Sequence, residues 1–112
     1  MFEKLIKNID ESTVVDLQDL VVYQEGQVVS RTLSQLPKIT LTLFAFPAGE
    51  GLSTHKAPGD ALVQVLDGEA EITIGGTPHV VKGGQSIVMP ADIPHGLKAI
   101  TNFKMLLTLI KP

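Results

Sequence analysis

Three histidines, His55, His79 and His95, are the side chains of this sequence best suited to chemistry. A neutral imidazole ligates first-row metals and exchanges a proton near neutral pH. Protein-built metal sites normally supply three or four side chains, so a pair of histidines needs a further donor, water or a bound ligand to complete the shell. There is no cysteine, hence no thiolate site and no disulfide framework. The remaining charged residues read as surface. Glu69 and Glu71 flank Ala70 on a strand whose Ile72 and Ile74 continue Ala70's face, which turns both carboxylates to solvent. Asp92 lies in a turn between Pro90 and Pro94, and Lys4, Lys7 and Lys104 are too scattered to form an anion-binding patch.

The elements that must hold these histidines are short. The 112 residues suit one domain, and 44% hydrophobic against 19% charged residues allows a packed core. A net charge of −3 with no basic run argues against a nucleic-acid partner. The segment MFEKLIKNIDES lacks the apolar run of a signal peptide, and no stretch reaches membrane-spanning length. The expectation is a cytoplasmic protein with no membrane partner.

Phe2, Leu5, Ile6 and Ile9 recur at helical spacing, which predicts a short amphipathic helix over residues 2–9. DLQDL, residues 16–20, reads as another helical turn or a loop. From Val21 onward the pattern is of strands. In KITLTLFAF, Ile39, Leu41 and Leu43 alternate with Thr40 and Thr42, the period of a half-buried strand. ALVQVL, EITI, HVV, SIVM and FKMLLTLI follow, separated by Asp67-Gly68, Gly75-Gly76, Gly83-Gly84, the Pro90–Pro94 corner and Thr101-Asn102. Strands at roughly eight-residue spacing point to an all-β sandwich or barrel. The expected organisation is an N-terminal helical extension, 1–20, packed on a β-barrel domain, 21–112. With four Phe, one Tyr and no Trp, there is no aromatic platform for stacking bases or sugars. Met105 to Leu107 has no polar interruption, as in a strand covered on both faces, here by the N-terminal segment or a second protomer.

The glycines, prolines and histidines sit in a frame that resembles the small single-domain cupins. That family's first motif runs Gly, five residues, His-x-His, a few residues, Glu, six residues, Gly. Gly49, His55 and Gly68 fall on their places, whereas Ala57 replaces the second His and Ala61 the Glu. The second motif runs Gly, five residues, Pro-x-Gly, two residues, His, three residues, Asn. Gly84, Pro90 and His95 match it, with Asp92 for the Gly and Ala99 for the Asn. The resemblance spans Ile39 to Leu109. It implies a double-stranded β-helix, or jelly roll, with a short N-terminal helical segment. It also implies an interior site for iron, manganese, nickel or zinc, of whose four usual ligands two remain.

If position 61 faces inward, Val63 and Val65 share that face, while Gln64 and Leu66 point away. Asp60 would also face outward unless the preceding turn rotates it. His79, two residues before Val81, enters the cup if the two share a core face; otherwise it is an exposed residue after the Gly75–Pro78 hairpin. His55 reads as a cup-facing ligand or a histidine tied down at a loop end, and His95 as its partner or a packed corner residue. Alanine at 57 and 61 should leave space, giving an apolar pocket formed by His55, Ala57, Ala61, Val63, Met89 and His95. Such a pocket suits a small organic ligand with a polar or anionic head. A divalent zinc, nickel, iron or manganese ion on His55, His95 and His79 and a site with no metal stand as equal alternatives. Three functions follow: a small-molecule binding protein with an incomplete histidine site, a metal-dependent oxygenase or isomerase acting on a small organic acid or sugar, and a dimeric scaffold without ligand chemistry. The apolar C-terminal strand and amphipathic N-terminus predict a homodimer.

Overall fold

The computed structural model describes residues 4–112. Among them are nine strands: β1 (Val29–Gln35), β2 (Ile39–Phe46), β3 (Gly51–His55), β4 (Asp60–Asp67), β5 (Glu69–Ile74), β6 (Thr77–Lys82), β7 (Ser86–Met89), β8 (His95–Ala99) and β9 (Phe103–Ile110). They form a five-stranded sheet in the order β1-β2-β9-β4-β7 and a four-stranded sheet in the order β3-β8-β5-β6. All pairings are antiparallel. The architecture is the all-β jelly roll that the strand spacing and the resemblance predict. Among the described residues no helix is long and apolar enough to cross a membrane.

The glycine frame has a conformational cause. Gly68, between β4 and β5, has φ +71, and a Cβ there would lie 1.9 Å from the carbonyl oxygen of Asn102. No side chain fits at that approach, so glycine is obligatory.

The main core lies between the sheets. Ala61, Val63 and Val65 of β4 all face it, as parity requires, and Gln64 is exposed. Phe46 stacks on Phe103 with centroids 5.0 Å apart and on Phe44 at 5.6 Å. These rings close one end of the barrel, since Phe46 pairs with Phe103 at the start of β9, and β9 runs from there to Leu109 beside Ala61 at the other end.

A second core lies on the outer face of the five-stranded sheet. Leu43 and Ala45 of β2 are buried there with Leu33 and Val21, and Leu17, Leu20 and Leu106 pack against them. The Leu41/Leu43 face of β2 is therefore buried under the N-terminal segment, and Thr40 and Thr42 share the inner face with Leu109 and Leu107. Strand β9 is covered on both sides, with Met105 in the main core and Leu106 beneath the N-terminal segment. Two polar contacts reinforce this cover. Tyr23 Oη donates to Asp67 Oδ2 at 2.6 Å, and Lys104 Nζ donates to the Gln18 carbonyl at 2.6 Å while lying 4.8 Å from the Tyr23 ring centroid.

The N-terminus departs from the expected helix. Phe2 lies outside the described residues; residues 4–10 form bends, and Leu5 and Ile6 are exposed. The only helical turn among the described residues is a 3₁₀ turn at Leu17–Leu20, within DLQDL. The physical reason is competition from β1. Lys7 N–H donates to the Leu33 carbonyl at 2.7 Å, Ser34 Oγ to the Leu5 carbonyl at 2.6 Å, and Asn8 Nδ2 to the Thr32 carbonyl at 2.7 Å. Asn8 and Ser12 have φ of 61 and 54, which ends any helical path. The segment thus covers the edge strand β1, whose backbone groups would otherwise be open to another chain.

Candidate functional site

His55 ends β3 and His95 begins β8, and the register sets them directly opposite one another. Their rings meet edge to face with centroids 4.6 Å apart. His95 is 4% exposed, whereas His55 sits at the open rim. Each ring is oriented by the same device: His55 Nδ1 lies 2.8 Å from the Ser53 carbonyl oxygen, and His95 Nδ1 lies 3.2 Å from that of Ile93. A carbonyl can only accept, so each Nδ1 carries the hydrogen. In the neutral ring Nε2 then holds the free lone pair, available as a hydrogen-bond acceptor, a base or a metal ligand.

The two histidines border a cavity of about 90 Å³ between the sheets. Ala57, Ala61 and Met89 line it with them, as expected from the sequence. Leu52, Leu97, Met105, Leu107 and Leu109 also contribute. Sequence reasoning missed these leucines and Met105. The signal was present in β9, where Met105, Leu107 and Leu109 alternate on one face, but the apolar Leu106 and Ile110 on the other face hid the period. No charged side chain lines the cavity.

Two expected members are elsewhere. Val63 shares Ala61's inward face but is fully buried in the core, and it is not part of the lining. His79 is exposed on β6, opposite Ile72, and lines no part of the cavity. It does share a face with Val81, but β6 is the outer strand of its sheet, and β5 separates it from β8. Two strand steps are roughly 10 Å, whereas ligands of one ion lie ~2 Å from the metal. His79 therefore cannot join the other two.

The rim is built by the corner after β7. Asp92, standing at the motif's glycine position, has φ 61, a left-handed conformation that aspartate tolerates better than most residues. Its N–H donates to the Ala57 carbonyl at 2.9 Å, and Ala91 N–H donates to Asp60 Oδ1 at 2.9 Å. Asp60 thus clamps the corner and is turned away from the cavity's chemistry. A larger concavity of about 550 Å³ lies between the N-terminal segment and β1, around Asn8, Asp10 and Arg31, but it is an open surface groove with no oriented imidazole.

Two facing antiparallel sheets with a histidine-bordered hollow between them define a jelly-roll barrel of the cupin kind. The family model for the cupin domain matches residues 42–111, and the chain belongs to this family. A conserved protein of unknown function from Streptococcus pyogenes is 44% identical, with a TM-score of 0.96 over 98% of this chain and 96% of that one. A cupin superfamily protein from Desulfitobacterium hafniense is 30% identical, with a TM-score of 0.92 over 96% and 98% of the two chains. A cupin 2 conserved barrel domain protein from Leptotrichia buccalis is 50% identical, with a TM-score of 0.84 over 87% of this chain but only 47% of its own length. No curated protein matches the chain.

The family's divalent metal site does not fit the residues present. Among the described residues no three His, Asp or Glu side chains are grouped to hold an ion. Ala57 and Ala61, at the places of the missing ligands, offer only methyl groups to the cavity.

Proposed function

We propose that this protein is a small-ligand-binding cupin whose cavity engages its ligand through the lone pairs of the His55 and His95 imidazoles. The cupin fold is shared by small-molecule binders and metal-dependent enzymes, so the fold itself selects neither. The observation that carries the binding reading is the pair of rings, each held by a backbone carbonyl and both bordering one apolar hollow. Two lone pairs at one end of such a hollow call for a partner that accepts electron density, either an O–H or N–H donor or a metal ion. A bare carboxylate meets two acceptors there and is disfavoured unless an imidazole is protonated. The hollow is smaller than the roughly 150 Å³ apolar cavity that takes up benzene. The occupant is therefore a few heavy atoms, or the buried tip of a molecule that protrudes past His55.

The test is a nitrogen-resolved NMR titration of the imidazole rings with short-chain alcohols, amines and carboxylic acids. Binding at the cup moves the His55 and His95 ring signals together and leaves His79 in place. Compounds that shift only His79 or the N-terminal groove, with the paired rings silent throughout, would overturn the reading.

We also propose that two copies pair through the lower outer face of the five-stranded sheet. The N-terminal segment covers its upper half, and Ile39, Ile110 and Val88 remain exposed below. Ile39 and Ile110 are register partners, so they form a continuous apolar surface. Light scattering at micromolar concentration should return a dimer that Ile110→Lys converts to monomer; a monomeric parent protein removes the proposal.

A further inference from the structure

The only arginine of the chain, Arg31, lines the groove of about 550 Å³ between the N-terminal segment and β1. It is the register partner of Leu43, so it leaves β1 on the outer face of the sheet, away from the His55–His95 hollow. Its Nη1 donates to the Asn8 carbonyl at 3.0 Å, which ties the guanidinium into the groove. Among the described residues no carboxylate pairs with it. Asp10 lines the same groove and has no cationic partner among those residues either, whereas Lys4 is taken up by Glu11 at 3.2 Å. Ile9, Val15 and Leu20 supply the apolar part of the lining, and all three are half-buried.

Two opposite charges thus share one groove without neutralising each other. A guanidinium is a planar fork that matches a carboxylate through two parallel N–H···O bonds. A carboxylate such as Asp10 only accepts, and an ammonium only donates. A simple anion would meet Arg31 but be repelled by Asp10, and a simple cation would meet the reverse. Each exposed ion pair alone is weak, because water and salt screen it. A ligand that carries both charges a few bonds apart satisfies the two groups together, and an aliphatic substituent covers the half-buried apolar wall.

We infer that the groove binds a free α-amino acid with an aliphatic side chain. The carboxylate lies on the Arg31 fork, the ammonium on Asp10, and the side chain against Ile9, Val15 and Leu20. Asp10 belongs to the N-terminal segment and Arg31 to β1, so the ligand also fastens that segment to the edge strand it covers. The site is independent of the cup, from which the five-stranded sheet separates it.

The experiment is a nitrogen-resolved NMR titration of the full chain, read at the Nε–H signal of Arg31, which is unambiguous because the chain has no other arginine. The probes are L-leucine, isocaproate, which lacks its ammonium, and isoamylamine, which lacks its carboxylate. Leucine is expected to bind saturably and to leave the His55 and His95 ring signals in place. Each analogue should bind about fivefold more weakly, the worth of one good surface ion pair. Arg31→Lys keeps the charge but loses the fork, and should weaken leucine by a similar factor. Asp10→Asn, at an exposed position, should bring leucine down to the affinity of isocaproate. An Arg31 signal that leucine does not move, isocaproate binding as tightly as leucine, or leucine affinity unaltered in Asp10→Asn overturns the inference. Inorganic phosphate shifting the signal at the same concentrations as leucine overturns it too, since the groove would then read charge alone.

Discussion

The two ends of this barrel are made from the same strands and have opposite character. At the end where β9 begins, Phe46 and Phe103 are fully buried in face-to-face contact, and Gly68 lets the chain pass against Asn102. Where β9 finishes, Ala57 and Ala61 replace bulk with space, and His55 and His95 border the resulting hollow. Close packing dictates stability, and a binding site needs packing left undone. The fold places the two demands at opposite ends of the same strands, so the filled end can offset the cost of the hollow one.

The sharpest way to break this comparison is to empty the filled end. Phe103→Ala should cost about 4 kcal/mol in urea denaturation, because a buried ring leaves a cavity that its neighbours cannot close. Leu109→Ala, on the lining of the existing hollow, should cost less, about 2 kcal/mol, since its loss only enlarges space already present. Equal losses at the two sites would show that the ends do not differ in packing.

Refilling the hollow end is the converse. The double variant Ala57→His/Ala61→Glu restores the family's ligand types. Without metal it should lose about 3 kcal/mol, because the new carboxylate is buried among apolar groups. One equivalent of Zn(II) should restore that stability, as thermal denaturation with and without the metal would reveal. Failure of Zn(II) to raise the midpoint would show that the alanines do not occupy vacated ligand positions.

A smaller effect tests the strut at the filled end. Tyr23, the only tyrosine, is held well above the ordinary phenol pKa, first by burial, then by its hydrogen bond to Asp67 and that carboxylate's charge. A raised folded-state pKa means the folded protein keeps the proton longer. This stabilisation is complete below pH 10, the unperturbed value, and is lost as pH rises through the folded value. Tyrosinate absorbance should therefore appear only at pH well above 10, and the alkaline fall in stability should flatten in Tyr23→Phe. At neutral pH that variant should lose about 1 kcal/mol.

The smallest expected change is at the rim. Asp92→Gly restores the motif glycine at a left-handed position and should alter stability by less than about 1 kcal/mol, in the stabilising direction. A larger loss would indicate that the Asp92 side chain itself holds the corner.

Much of this molecule was legible in its residues. The strand spacing announced an all-β fold, and the motif glycines, prolines and histidines carried the family resemblance that implied the jelly roll; glycines such as Gly68 mark its turns because positive φ and close backbone approach admit few alternatives. With Ala61 taken as inward, parity on β4 correctly put Val63 and Val65 on the core face and Gln64 on the other, since side-chain direction alternates whatever the partner strand. Strands β1, β3 and β8 were not anticipated; β3 and β8 are short, interrupted by glycine and polar residues, and gain their conformation from pairing.

Local sequence determined the turns, the alternation and the presence of two histidines in motif places. Tertiary structure decided the rest, because register and layer order depend on contacts between residues far apart in the chain. It set His55 opposite His95, left His79 beyond an intervening strand, and brought both buried methionines to the same hollow. It also drew residues 5–8 into hydrogen bonds with β1, where a weak helical pattern lost to backbone partners that only the folded sheet provides.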